Sequence, residues 1–258
     1  IEGDTEFIDL ATKFAFGPDR PCVAAVQTLS GTGACRIAGE FLSRFWKVKT
    51  ILIPNPTWGN HWKIFDTCGL ATQPYRYYDR THNRLDMDGL MEDLRSSPNS
   101  SIVLLHACAH NPTGCDPTRE QWKQIAEICK NRQFLVLFDS AYQGFASGHI
   151  DADAWSLRYF CYQKIPVLLA QSFAKNFGLY GERCGTMSVV CSSAEERHNL
   201  LSQLRTIIRP MYSSPPKHGS SIVKYVLSNP ELFEQYKDEC ASMAERIGTI
   251  RRKLVEAL

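Results

Sequence analysis

Stretches in which apolar residues recur every three or four positions alternate, along this 258-residue chain, with short unbroken apolar runs. The first pattern lays an apolar stripe along one face of a helix, and the second suits a strand buried on both sides. Helical spacing predicts helices over residues 33–46, 58–69, 86–97, 116–132 and 151–163. Pro117 stands at the opening of the fourth, where a missing amide hydrogen costs nothing. Apolar runs predict strands at 50–54, 101–107, 134–141, 167–173 and 186–192, and an aromatic one at 73–79. Segments 194–208, 217–228 and 231–258 read as mostly helical. Apolar strands alternating with helices imply an α/β fold, a mostly parallel doubly wound sheet flanked by helices on both faces. No repeat, low-complexity tract or linker interrupts the pattern.

In such sheets, ligands sit outside the carboxyl ends of the strands. Three predicted strands run into polar, glycine-containing loops there: HACAHNPTG (106–114), FDSAYQGFASG (138–148) and QSFAKNFG (171–178). Composition adds limits. With 44% hydrophobic residues the chain has the apolar mass for a large core, and a net charge of +2 gives no nucleic-acid or membrane footprint. No apolar run is long enough to span a bilayer. The ten cysteines form no C-x-x-C and lie in apolar stretches such as LLHACAH and AEICK, which suits buried, reduced thiols inside a cell. No secretion signal is visible, so the cytoplasm is the expectation, an organelle being left open only if a leader precedes Ile1. Both ends read as cuts through a longer chain.

Lys175 follows the strand VLLAQSF and is framed by Phe, Ala, Asn and Gly. A lysine in apolar surroundings loses solvation, and its amine becomes a nucleophile suited to Schiff-base chemistry; a snorkelling surface lysine fits the same context. Asp139 ends the strand FLVLFD, a place for a metal ligand, a base or the partner of a cationic ring nitrogen, as well as for an ordinary turn or cap. Tyr142 offers a phenol beside it. Ser30, Gly31, Thr32 and Gly33 precede a helix, where hydroxyls and amide hydrogens suit a phosphate or simply cap the helix. No nucleotide-binding motif matches. Trp58, in NPTWGNH, would stack on a flat ligand or fill the core. Asn111 is held extended before Pro112. His106 and His110 show a spacing of four but no third ligand, so no metal site is read there.

The segments SGTGA, NPTWGNH, HACAHNPTG, FDSAYQGFASG, SFAKNFGLYGER and RPMYSSPPKHG together resemble, in order and spacing, the aspartate aminotransferases. These are fold-type I pyridoxal-phosphate enzymes, and the likeness spans essentially the whole chain. It implies a large cofactor-binding domain over 1–228 and, over 229–258, the start of a long helix leading to a smaller domain. It implies pyridoxal 5′-phosphate as cofactor, with L-aspartate, 2-oxoglutarate, L-glutamate and oxaloacetate as substrates and a homodimer with shared sites. By the same resemblance Lys175 is the Schiff-base lysine and proton shuttle, and Asp139 the partner of the pyridine nitrogen. Tyr142 and Asn111 bond the cofactor's phenolic oxygen, and Asn111 also lies near the substrate's α-carboxylate. Trp58 and Ala141 flank the ring. Ser30, Gly31, Thr32, Ser172 and Arg183 form the phosphate cup, where an arginine fork clamps the anion. His61 and His106 stand behind Asp139. Arg209 reaches the neighbouring subunit and binds the substrate's distal carboxylate.

The family also uses a partner tyrosine upstream of IEG and a C-terminal arginine for the α-carboxylate, neither within this sequence. A chain lacking the latter is expected to transaminate badly or merely to hold cofactor. Ser214 stands where the family usually has Asn, Ala174 replaces a common Ser, and PDRPCVAAVQ is a few residues short. Aromatic aminotransferases share the architecture; Arg209 and NPTWGNH favour dicarboxylate substrates.

Overall fold

The computed structural model describes residues 1–257. The chain opens with α1 (Thr5–Phe16), β1 (Val23–Leu29), α2 (Ser30–Phe45), β2 (Thr50–Asn55), α3 (Asn60–Thr67) and β3 (Ala71–Arg76). A small hairpin of β4 (Tyr78–Asp79) and β5 (Arg84–Leu85) leads to α4 (Met87–Ser96), β6 (Ile102–His106), α5 (Arg119–Asn131) and β7 (Leu135–Ser140). Then come α6 (Ile150–Asp153), α7 (Trp155–Tyr162), β8 (Val167–Ser172), β9 (Cys184–Val190), α8 (Ala194–Met211), α9 (His218–Ser228) and α10 (Pro230–Ala257). Seven strands form one sheet in the order β1-β9-β8-β7-β6-β2-β3. Every pairing is parallel except the two made by β9. The predicted mostly parallel α/β sheet is therefore the observed one.

The unbroken apolar runs have a simple cause. Alternate side chains of one strand feed two different cores. Val103, Leu105, Val136, Phe138, Val167 and Leu169 pack on one face with Leu90, Leu94, Trp122, Ile125 and Phe160 from α4, α5 and α7. Ile102, Leu104, Leu135, Leu137, Leu168 and Ala170 pack on the other with Ala34, Ile37, Leu42, Phe65, Leu204 and Ile208 from α2, α3 and α8. A third cluster joins Phe7 and Phe14 of α1 to Phe173, with Phe177, Phe233 and Tyr236 against it. The Phe7 and Phe173 rings meet edge to face at 5.7 Å and fix the loop that carries Lys175.

Several boundaries differ from the sequence expectation. α1 and β1 were not anticipated. The first is capped by Asp4, whose carboxylate accepts from the amides of Glu6 and Phe7. β1 runs into α2 with no turn residue between them; Ser30, at a φ of 59°, makes the corner. Residues 30–33 are thus the first turn of α2 and not an approach to it. The aromatic stretch 73–79 divides between β3 and the hairpin strand β4.

β9 fits beside that corner only because residue 185 is glycine. A Cβ there would lie 2.4 Å from the Gln171 carbonyl oxygen and 2.8 Å from the Ser30 carbonyl carbon. Both neighbours are backbone, so neither yields cheaply. We expect Gly185→Ala to cost about 2 kcal/mol of stability or more, seen as a lower urea midpoint, while Gly181→Ala, with nothing within 4 Å of its Cβ, stays near wild type.

Candidate active site

The carboxyl ends of β1, β6, β7 and β8 lie at one edge of the sheet. Because β9 runs the other way, its amino end and Arg183 arrive at that same edge. Between these ends opens a cleft of about 260 Å³. Thirteen expected site residues were named for the cofactor pocket and its rear wall, and the cleft gathers most of them. Ser30, Gly31 and Thr32 line it from α2, and Trp58 and Asn111 from two loops. Asp139, Ala141 and Tyr142 come from the end of β7, and Ser172, Lys175 and Arg183 from β8 and the loop beyond. His106 also lines the cleft, and His61 is buried behind it. Cys108, Ala174 and Tyr180 line it too, and no local pattern marks them as site residues. Arg209 is not there: it is exposed on α8, with Nη1 donating to Ser213 Oγ at 2.9 Å.

Asp139 is the electrostatic centre. His61 Nε2 lies 3.0 Å from Asp139 Oδ2. His61 Nδ1 lies 2.8 Å from the Thr57 hydroxyl, which is 3.1 Å from His106 Nε2, and His106 Nδ1 accepts from the Asn111 amide at 3.2 Å. That last bond fixes the order. His106 Nδ1 is an acceptor, so Nε2 carries its proton and donates to Thr57; the Thr57 hydroxyl then donates to His61 Nδ1, and His61 Nε2–H donates to Asp139. Burial works to raise the Asp139 pKa, but the hydrogen bond from His61, with electrostatic help from His61, His106 and Lys175, outweighs it and holds the pKa below the usual carboxylate range. Asp139 Oδ1 has no hydrogen-bond partner among the described residues and faces the cleft.

Lys175 extends between two aromatic faces, its Nζ 5.2 Å from the Tyr142 ring centroid and 5.6 Å from that of Tyr180. Burial, with lesser contributions from Tyr180 and Asp139, pushes the Tyr142 phenol up, so it remains a hydrogen-bond donor. At the other end of the cleft, α2 has no side-chain cap, whereas α1, α4, α5 and α8 are capped by Asp4, Asp86, Thr118 and Ser193. The Ser30 amide donates to the Arg183 carbonyl at 3.1 Å, and the amides that follow it in the first turn are left for an anion from the cleft. Ser30 Oγ and Ser172 Oγ meet there at 2.9 Å. Gly31 keeps the space open, since a Cβ would stand 3.2 Å from Ser172 Cβ and 4.0 Å from Asp139 Oδ1. An anion seat, a carboxylate oxygen with a free lone pair, an aromatic wall and an amine fit a flat, phosphorylated pyridine carrying a carbonyl.

The architecture is that of the fold-type I transferases. A family model described as aminotransferase class I and II matches residues 1–258, and the chain belongs to that family. It is 52% identical to the cytoplasmic aspartate aminotransferase of Oryza sativa subsp. japonica, over all of this chain and 65% of that one. The chain thus spans a little under two thirds of that relative. It superposes on the structure of a mitochondrial aspartate aminotransferase from Trypanosoma brucei with a TM-score of 0.96 at 42% identity, covering 99% of this chain and 69% of that one. A structure of an aromatic-amino-acid aminotransferase from Burkholderia pseudomallei, described as covalently bound to pyridoxal phosphate, matches with a TM-score of 0.96 at 39% identity, covering 99% and 65%. Relatives of cytoplasmic and of mitochondrial name share the sequence, so likeness selects no compartment.

The hydrogen-bonded chain behind Asp139 predicts a pH dependence. Burial pushes His106 down to about 4 from an ordinary 6.5. The unfolded chain then binds a proton near pH 6.5 that the folded one refuses until about pH 4, so stability is full above 6.5 and falls with pH through that window. The loss at its lower end is about 3 kcal/mol from this residue. Urea unfolding of wild type and His106→Gln at pH 7 and 4.5 checks this: the variant should lose much of the acid-induced drop, and parallel losses would remove His106 as its source.

Proposed function

We propose that this chain carries the cofactor-binding part of an aspartate aminotransferase, exchanging the amino group between L-aspartate and 2-oxoglutarate to give oxaloacetate and L-glutamate. The observation that supports it most is the meeting, in one cleft, of Lys175, the ionised Asp139 and the uncapped end of α2 beside Arg183. Pyridoxal 5′-phosphate would be held there, and when bound it supplies an electron sink conjugated to the α-carbon of the amino acid.

The chain's own residues do the rest. Asp139 Oδ1 would hold a proton on the ring nitrogen, and the His61–Thr57–His106 chain keeps Asp139 ionised for that purpose. The α2 amides, Ser30, Thr32, Ser172 and the Arg183 fork would seat the phosphate. Trp58 and Ala141 would flank the ring, and Tyr142 and Asn111 would donate to its phenolic oxygen. Lys175 Nζ would hold the cofactor and, when free of it, would take the proton from the substrate α-carbon and return it on the other side of the exchange. Arg209 lies outside the cleft of its own chain, which supports a homodimer in which it serves the neighbouring site and pairs with a distal carboxylate. α10 reads as the helix leading from the cofactor domain, 1–228, toward a second one.

The likeness to an aromatic-amino-acid aminotransferase gives a second reading with the same chemistry and another side-chain preference. Two measurements decide. Borohydride reduction of the pyridoxal-phosphate-loaded protein should place the label on the Lys175 peptide, and Lys175→Ala should carry none; a label on any other lysine would remove this site. Arg209→Ala should cut kcat/KM for aspartate roughly a hundredfold while moving that for phenylalanine by under tenfold, because only the dicarboxylate loses a charged partner. Equal losses on both would favour the aromatic reading.

A further inference from the structure

Cys35 lies on α2, fully buried and outside the lining of the cleft, and the chemistry above makes no use of it. Yet its sulfur, a ring nitrogen of His61 and a carboxylate oxygen of Asp139 all lie within 4.8 Å of one another. One thiol, one imidazole and one carboxylate form a donor set that zinc-class ions favour, with a fourth position left for water. The distances are close to what such an ion requires. Bonds of roughly 2.0–2.1 Å in a tetrahedron put nitrogen and oxygen donors about 3.3 Å apart, and His61 Nε2 and Asp139 Oδ2 are 3.0 Å apart. The sulfur–nitrogen edge would be roughly 3.5 Å, so Cys35 Sγ closes by at most about 1.3 Å from the 4.8 Å limit. Of the three donors only Asp139 lines the cleft, so an ion would reach the site past its carboxylate.

We propose that the cofactor-free protein binds a zinc-class divalent cation through Cys35, His61 and Asp139, and that this cation and pyridoxal phosphate exclude each other. The exclusion rests on the reading of Asp139 as the ring-nitrogen partner; the cation site rests on the three donors alone. The protons balance. Cys35 releases its thiol proton to solvent and binds as thiolate. His61 moves its proton from Nε2 to Nδ1, freeing Nε2 for the ion, and Thr57 Oγ1, its own hydrogen turned away, then accepts from both histidines. Thiolate and carboxylate together neutralise the dication, so the filled site carries no net charge.

Cobalt(II), added to the full chain freed of cofactor, is the probe. The expected result is one ion per chain with a thiolate-to-cobalt charge-transfer band. Cys35→Ala, and Cys35→Ser as a second variant of closer size, should lose that band while binding pyridoxal phosphate as wild type does. Loading wild type with pyridoxal phosphate first should abolish the band. Zinc at about a hundred times its own Kd should weaken apparent pyridoxal-phosphate affinity roughly hundredfold by mass action. An undiminished band in both Cys35 variants would place cobalt on another thiol and overturn the site. Cobalt and pyridoxal phosphate bound together, neither weakening the other, would overturn the exclusion. A Cys35-dependent band in a protein that takes up no pyridoxal phosphate would uphold the cation site and sink the cofactor reading instead.

Discussion

A sheet covered on both faces has no room for chemistry along its strands. Every side chain of β6, β7 and β8 up to the last residues faces a helix layer, and a polar group there would be buried without a partner. Polar residues are therefore confined to the strand ends. Parallel pairing brings those ends to one edge, and crossover connections return the chain to the opposite edge each time. The cleft is the consequence. The single reversed strand contributes as well, because reversing β9 delivers Arg183, the residue just before it, to the edge where the others finish.

The same burial that stabilises the sheet makes the charge on Asp139 expensive. It is kept by an ordered series of hydrogen bonds that begins at a backbone amide, Asn111, and ends on the carboxylate. Each link sets the tautomer of the next, so the direction of the dipoles is inherited from the backbone and is not chosen by solvent. Lys175 and the uncapped helix add positive potential from the other sides. The cleft therefore offers an acceptor at one end and a donor-rich, cationic seat at the other. That polarity suits a molecule with a cationic ring at one end and an anionic group at the other.

Much of this was legible in the sequence because the informative segments are contiguous. Lys175, Asp139, Tyr142 and Asn111 each follow an apolar run that ends in glycine-containing loops, and a strand end is where a ligand is sought. What could not be read depends on contacts between distant segments. β1 gives no local sign of where it ends, because VAAVQTL passes into its helix without a glycine, proline or other turn signal, and only the pairing with β9 makes Ser30 a corner; α1 did carry its signals, Asp4 at its start and Gly17 at its end. Thr57 is an unremarkable residue of NPTWGNH until the fold sets it between two histidines. The nearness of Cys35 to Asp139 follows from how α2 lies on the sheet, which no local pattern encodes.

Ser30 and Arg183 both hold left-handed backbone, at φ of 59° and 52°, and the Ser30 amide donates to the Arg183 carbonyl at 3.1 Å. Neither is glycine, so both conformations are costly in isolation and persist only while the surroundings impose them. What imposes them is the completed β1–β9–β8 pairing, which also joins Ser30 to Ser172 across 142 positions of chain. The anion seat is thus among the last features a folding chain can acquire. A partly folded chain has the residues of this corner but not its shape, so an anion bound there would report that the edge of the sheet has closed.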